Sequence, residues 1–212
     1  MKDGICYIVG AGEEDGVIFA PQPKDCVIAA DGGFAYLVAR GIRVDLAVGD
    51  FDSLPHRPEG VPVVPLERDK DETDMFAAAR IGIDRGYACF HIHCGMGGRI
   101  DHTMANMQLL AFLSQRGMRA LLFGRDCVLT ALTNGILALG AHHRGYVSVF
   151  SHAERSTGVF LRGLKYRLDD ATVSNTFPIG VSNEFTGKPS VITVEKGTLL
   201  IVLPRGEASF GL

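Results

Sequence analysis

Up to about residue 125, short unbroken apolar runs alternate with helix-like stretches; beyond it, no stretch supports a long amphipathic helix. That change of rhythm limits the fold more than any single motif. The candidate strands of the first part are Ile5–Val9, Cys26–Ala30, Leu46–Val48, Val61–Val64, Ala88–His93 and Arg119–Phe123. Between them lie helical stretches at Phe34–Arg40, Asp74–Arg85 and His102–Arg116. In the second of these Met75, Ala78, Ala79 and Gly82 share a face, and in the third Met104, Met107, Leu110 and Ala111 do. Unbroken apolar strands set between helices predict a mostly parallel sheet covered on both faces, an α/β domain over residues 1–125.

The second part reads differently. Val128–Leu132, Ile136–Leu139, Tyr146–Phe150, Gly158–Leu161, Val191–Val194 and Leu199–Leu203 are short runs split by Gly, Asn, Pro or Ser. They predict an all-β antiparallel sandwich or small barrel over residues 126–212.

Composition removes several function classes. Hydrophobic residues make up 47% of the chain, enough for a substantial core. A formal net charge of −3 argues against a nucleic-acid surface or a polybasic membrane patch. No apolar run reaches the roughly 18 to 20 residues of a membrane helix. Met1-Lys2-Asp3-Gly4 runs straight into strand-like sequence without a signal-peptide pattern, so the expected location is the cytoplasm. Five cysteines, without a Cys-x-x-Cys pair, fit reduced and mostly buried thiols.

The chemistry gathers where the first strands end. Four acidic clusters follow or lie near them: Asp31-Gly32-Gly33, Gly49-Asp50-Phe51-Asp52-Ser53, Asp69-Lys70-Asp71-Glu72-Thr73-Asp74 and Gly97-Gly98-Arg99-Ile100-Asp101-His102. Carboxylates at strand ends can hold a divalent cation, and the cation a polyphosphate. In extended chain Asp50 and Asp52 point the same way and can share that cation; as turn formers they would only be solvated. The company of the other clusters favours the cation.

Asp69–Asp74 also reads as a helix start, with Asp71 or Thr73 as cap and the acids favoured by the helix dipole. Asp74 can still turn inward there, and Lys70 can meet a phosphate as a compact charge. The glycine turns Asp31-Gly32-Gly33 and Gly95-Met96-Gly97-Gly98-Arg99 let backbone N–H groups approach phosphate. Gly10-Ala11-Gly12 hints at the same but lacks a full Gly-x-Gly-x-x-Gly. Cys89, His91 and His93 alternate on one strand; a soft-metal site is one reading, and buried residues with satisfied hydrogen bonds is the reading taken.

Taken in order, these segments resemble the thiamine pyrophosphokinase family, in its bacterial form. The resemblance rests on Ala30-Asp31-Gly32-Gly33, Val48–Ser53, Lys70–Asp74, Gly98–His102 with Asn106, Gly163–Tyr166 and Gly180–Phe185. It implies an α/β domain followed by a β-sandwich, in a homodimer whose active site is shared between chains. It implies transfer of pyrophosphate from ATP to the hydroxyl of thiamine, giving thiamine diphosphate and AMP. By the same resemblance Asp50, Asp52 and Asp74 hold Mg2+, with Lys70 and Arg99 beside them in catalysis. Asp31, Gly32, Gly33, Lys70, Thr73, Arg99 and Asp101 meet ATP. Ser182 and Asn183 belong to the thiamine pocket. The rival readings are a metal-dependent nucleotide-sugar glycosyltransferase and a non-enzymatic nucleotide-binding sensor.

Overall fold

A computed structural model describes residues 2–16, 19–52, 57–67, 69 and 71–205. Lys70 and Ser53 lie outside the described residues. The chain divides into two compact units, Met1–Leu109 with Ala120–Arg125, and Leu110–Arg119 with Asp126–Leu212.

Up to residue 125 the elements run β1 (Lys2–Val9), β2 (Cys26–Ala30), α1 (Gly33–Ala39), β3 (Leu46–Gly49), β4 (Val63–Pro65), α2 (Asp74–Asp84), β5 (Tyr87–His93), α3 (Ile100–Ser114) and β6 (Arg119–Phe123), and the division between the units falls within α3, after Leu109. The strands among them lie in the order β6-β5-β1-β2-β3-β4. The β5–β1, β1–β2, β2–β3 and β3–β4 pairs are all parallel. Every residue of β2 is buried, as a strand covered on both faces requires. Tyr7, Val9, Val27, Ala29, Leu37, Ala47 and Phe51 form one core cluster. The chain goes from β1 outward to β2 in one direction and reaches β5 on the other side. The switch point of the sheet therefore falls between the ends of β1 and β5, where open α/β sheets bind ligands.

Two helical faces were read from spacing, and they fare differently. In α2 Met75, Ala78, Ala79 and Gly82 are buried as expected, and Thr73 caps the helix, its hydroxyl accepting from Phe76 N at 3.2 Å. In α3 the buried face is Thr103, Asn106, Leu110 and Leu113, while Met104 is 61% exposed. The apolar methionines suggested a face one position away from the one that packs. Small polar residues, Thr103 and Asn106, occupy the inner side instead.

The second unit holds β7 (Cys127–Leu139), β8 (Tyr146–Ser151), β9 (Arg155–Arg162), β10 (Leu168–Ser174), β11 (Gly180–Glu184) and β12 (Ser190–Pro204). All its pairings are antiparallel. The pairs of short runs expected at 128–139 and 191–203 are single long strands, each bent in the middle. β12 pairs with β7 along its whole length, with an irregularity between Val194 and Thr198. Before that bulge β12 also pairs with β9, and after it with β8. One strand thus serves two sheet surfaces, and the bulge makes the corner. Gly197 has φ +124°, a conformation other residues rarely adopt, and its N–H donates to Asn134 Oδ1 at 2.9 Å. Between the surfaces lies a core of Leu137, Val147, Val149, Val159, Leu161, Ile192, Leu199 and Ile201.

Candidate active site

The ends of β1 and β5 frame a cavity of about 470 Å³. One wall is Gly10, Ala11, Gly12 and Glu13, the loop after β1; another is Cys94, Gly95, Gly97 and Gly98, the loop after β5. Asp31, Met75, Arg99, His102 and Asn106 complete it. The two loops are laced together. Gly10 N donates to His93 O at 2.9 Å, Gly12 N to Cys94 O at 2.7 Å, and Glu13 N to Met96 O at 3.0 Å. Asn106 Nδ2, from α3, donates to Gly95 O at 2.6 Å. A Cβ on Gly12 would stand 2.6 Å from Cys94 O, so only glycine permits this approach. Gly10-Ala11-Gly12, the weakest of the sequence hints, is therefore built into the site.

Asp31 follows β2 with φ +49°, and its N–H donates to Val48 O at 2.8 Å. The β2–β3 register, Ala30 opposite Val48, sets Asp31 beside the start of the Asp50 segment. Gly32 and Gly33 lead into α1, with Gly33 buried as its first residue. Asp74 opens α2 and is half-buried.

The expectation that Asp50 and Asp52 lie in extended chain is corrected. Phe51 has φ +59° and is buried in the core cluster. Asp52 N donates to Asp50 Oδ1 at 3.2 Å, so the segment is a tight turn closed by the Asp50 carboxylate. Burial of the Phe51 ring outweighs the left-handed strain, which costs of order 1–3 kcal/mol. Among the described residues, no three His, Cys, Asp or Glu side chains gather closely enough to hold a metal ion between them.

At the rim, Arg99 and Asp101 are paired, and both are exposed. The guanidinium holds the Asp101 carboxyl below its ordinary range. The Cys94 thiol is pushed up to about 11 by burial and then by the Asp15 carboxylate, so it stays protonated at neutral pH and is no nucleophile.

Cys89, His91 and His93 share a face of β5, as expected, and the two imidazoles pack among aromatic rings. His91 meets Tyr7 and Phe123 edge-on at 5.4 and 5.3 Å between centroids, while His93 stacks on Phe19 and Phe123. Burial first, and His93 next, push the His91 pKa down to about 4.

Ser182 and Asn183 lie in β11 of the second unit. Ser182 is exposed with φ +55°, its N–H donating to Ser148 Oγ at 3.1 Å. Asn183 is buried, and both its amide oxygen and its amide nitrogen bond to backbone. Oδ1 accepts from Tyr166 N and Glu184 N, both at 2.9 Å, and Nδ2 donates to Tyr166 O at 2.6 Å. It holds Tyr166 in place and has no hydrogen left for a ligand beyond one on Nδ2.

Residues 21–122 match the family model described as thiamin pyrophosphokinase, catalytic domain, and residues 137–199 match thiamin pyrophosphokinase, vitamin B1 binding domain. A thiamine pyrophosphokinase of Bacillus subtilis is 24% identical over 182 residues, 82% of this chain and 85% of that one. The crystal structure of a thiamin pyrophosphokinase from Geobacillus thermodenitrificans superposes with a TM-score of 0.83 at 28% identity, covering 96% of this chain and 99% of that one. Yeast thiamin pyrophosphokinase shares the fold, with a TM-score of 0.75 at 15% identity over 95% of this chain and 86% of the other.

Proposed function

Because the chain belongs to the thiamin pyrophosphokinase family, we propose that it transfers a pyrophosphoryl group from ATP to the hydroxyl of thiamine, giving thiamine diphosphate and AMP. The cavity at the sheet's switch point carries this reading. Two glycine loops bring backbone close to a ligand there, and Arg99 stands at the rim, an arrangement suited to a polyphosphate.

In this reaction the hydroxyl oxygen bonds to the β-phosphorus as the bond from that phosphorus to the AMP oxygen breaks. Little covalent work falls to the protein; it aligns two substrates and stabilises charge on the phosphate oxygens. Asp31, Gly32, Gly33, Thr73 and Asp101 line the nucleotide side, and Arg99 with Lys70 answers the phosphate charge. A carboxylate, Asp74 or Asp101, orients the attacking hydroxyl. Asp50, Asp52 and Asp74 carry carboxylate oxygens, hard donors of the kind that suits Mg2+, and one or two of them would hold the ion. Bound there, the ion would supply neutralisation of charge on the transferring group.

The β-rich unit receives thiamine in this reading, with Ser182 in the pocket and Asn183 bracing Tyr166 beside it. Two chains form a homodimer, each pocket drawing its α/β side from one chain and its β side from the other.

The test is AMP release from ATP with and without thiamine. Thiamine-dependent AMP together with thiamine diphosphate supports the reading. A nucleotide-sugar glycosyltransferase or a nucleotide sensor produces neither, and that result overturns it.

A further inference from the structure

Beneath the glycine loops lies a carboxylate–imidazole pair to which no catalytic part has been given. Asp15 Oδ2 is 2.9 Å from His93 Nδ1, and both side chains are 1% exposed. The same oxygen accepts from Cys94 N at 3.3 Å. A carboxylate accepts only, so the imidazole donates from Nδ1.

The His93 ring has no freedom to swing. It stacks on Phe123 at 4.5 Å and 5°, on Phe19 at 4.7 Å and 20°, and near Tyr7 at 6.2 Å. Among the described residues Nε2 has no hydrogen-bond partner. The ring therefore presents a single hydrogen bond from a fixed position, aimed at Asp15.

A buried pair of this kind is a poor source of stability, because desolvating the carboxylate offsets much of the attraction; apolar residues of equal volume serve a core as well. What the pair does gain is position. Asp15 lies within the connection that leaves β1 at Gly10, and His93 is the last residue of β5, from which the other loop runs to Gly98. Backbone bonds from Gly10, Gly12 and Glu13 lace these loops, Gly98 N donates to Glu13 Oε1 at 3.3 Å at their far end, and the Asp15 side chain returns to the near end at His93 and Cys94, the point from which the second loop departs. Cys94 itself sits at φ +50°, where a non-glycine residue needs outside support, and Asp15 supplies it by taking the Cys94 N–H.

We propose that Asp15 and His93 are positioning residues for the nucleotide: a buried lock that holds the two glycine loops in the spacing that receives the polyphosphate. The proposal rests on the nucleotide reading of the cavity given above. Neither residue touches substrate; each acts through the backbone of Gly12, Cys94 and Gly95.

Three variants of the full-length enzyme test it. His93→Phe keeps the ring stack and removes the donor. His93→Asn restores a donor near the Nδ1 place and removes the ring. Asp15→Asn keeps the shape and removes the charge. With ATP and thiamine varied separately, His93→Phe should raise KM for ATP by about tenfold or more and leave KM for thiamine within about twofold. His93→Asn should recover part of the loss for ATP although it packs worse, so the order of KM and the order of Tm should differ. A merely structural pair moves Tm and leaves the two KM values together, and that outcome overturns the proposal. Should the His93 variants fold poorly, amide exchange in Asp15→Asn decides. The Gly12 and Cys94 amides should exchange faster while β2 amides do not change, and equal exchange at all of them overturns the lock. A parent enzyme that makes no AMP from ATP and thiamine overturns the functional reading instead, and leaves the exchange result to judge the lock.

Discussion

Arg99 and Asp101 grip each other at the cavity rim through two bonds, Nη2 to Oδ2 at 2.5 Å and Nε to Oδ1 at 3.2 Å. Both are exposed, so the fork is loosely held, and a phosphate can displace the carboxylate from the guanidinium. Arg99→Ala should raise KM for ATP about tenfold, leave KM for thiamine alone, and leave Tm unchanged. Arg99→Lys keeps the charge without the planar fork and should recover only part of the loss. Steady-state kinetics with each substrate varied, and a thermal melt, check both.

Asp50 closes its own turn through the bond from Asp52 N to Oδ1. Asparagine keeps that oxygen and loses the charge. Asp50→Asn should therefore fold normally yet lose at least about a hundredfold in turnover, a few kcal/mol at the transition state. Near-parental kcat at saturating Mg2+ would remove Asp50 from the metal site.

His91 makes the fold sensitive to acid. The unfolded chain takes up the proton near the ordinary imidazole value of 6.5, the folded chain only near 4. Between those values the unfolded state holds more protons, so acid favours it. The contribution of neutral His91 is whole above pH 6.5 and drains away as pH falls toward 4, on the order of 3 kcal/mol in all. His91→Phe should flatten urea-derived stability across that window, and an unchanged slope would place the acid sensitivity elsewhere.

At the corner of β12, Gly197→Ala meets two obstacles at once. The residue has φ +124°, and a Cβ would lie 2.5 Å from Ser156 Oγ. A loss of about 2–4 kcal/mol is expected on urea unfolding. Asn134→Gly, which removes the bond to Gly197 N and tolerates the φ of +46° at that position, should cost about 1 kcal/mol.

The proposal that two chains share each site can be tested by mixing. Asp74→Ala and Ser182→Ala should each be nearly inactive. In a mixed dimer one site collects both lesions and the other is native, so after random exchange roughly a quarter of native activity returns. No recovery after proven exchange means that each chain serves itself.

Sequence made the parallel sheet legible because its strands are buried on both faces, and unbroken runs such as Cys26–Ala30 have no other ready meaning. It misread β7 and β12 as pairs of strands, because Asn134-Gly135 and Lys196-Gly197 look like turns until a partner strand bends with them. The Asp50–Asp52 turn escaped for a related reason. Phe51 adopts its positive φ to reach a core that no local pattern announces. Asp15 was invisible, since its partner His93 stands 78 residues away and nothing near Asp15 distinguishes it from a loop acid.

The bent β12 also sets a timetable for the newborn chain. β7, β8 and β9 all find their neighbour in β12, and β12 spans residues 190–204. As the ribosome extends the chain at roughly 5–20 residues per second, β7 emerges seconds before the strand that will cover it. During that wait its apolar residues and open backbone edge are exposed to every other nascent strand nearby. The first unit is under no such delay beyond β6, at residue 123. The hazard of misassembly is therefore concentrated in the second half of synthesis, and a chaperone would help most while residues 140–190 are being made.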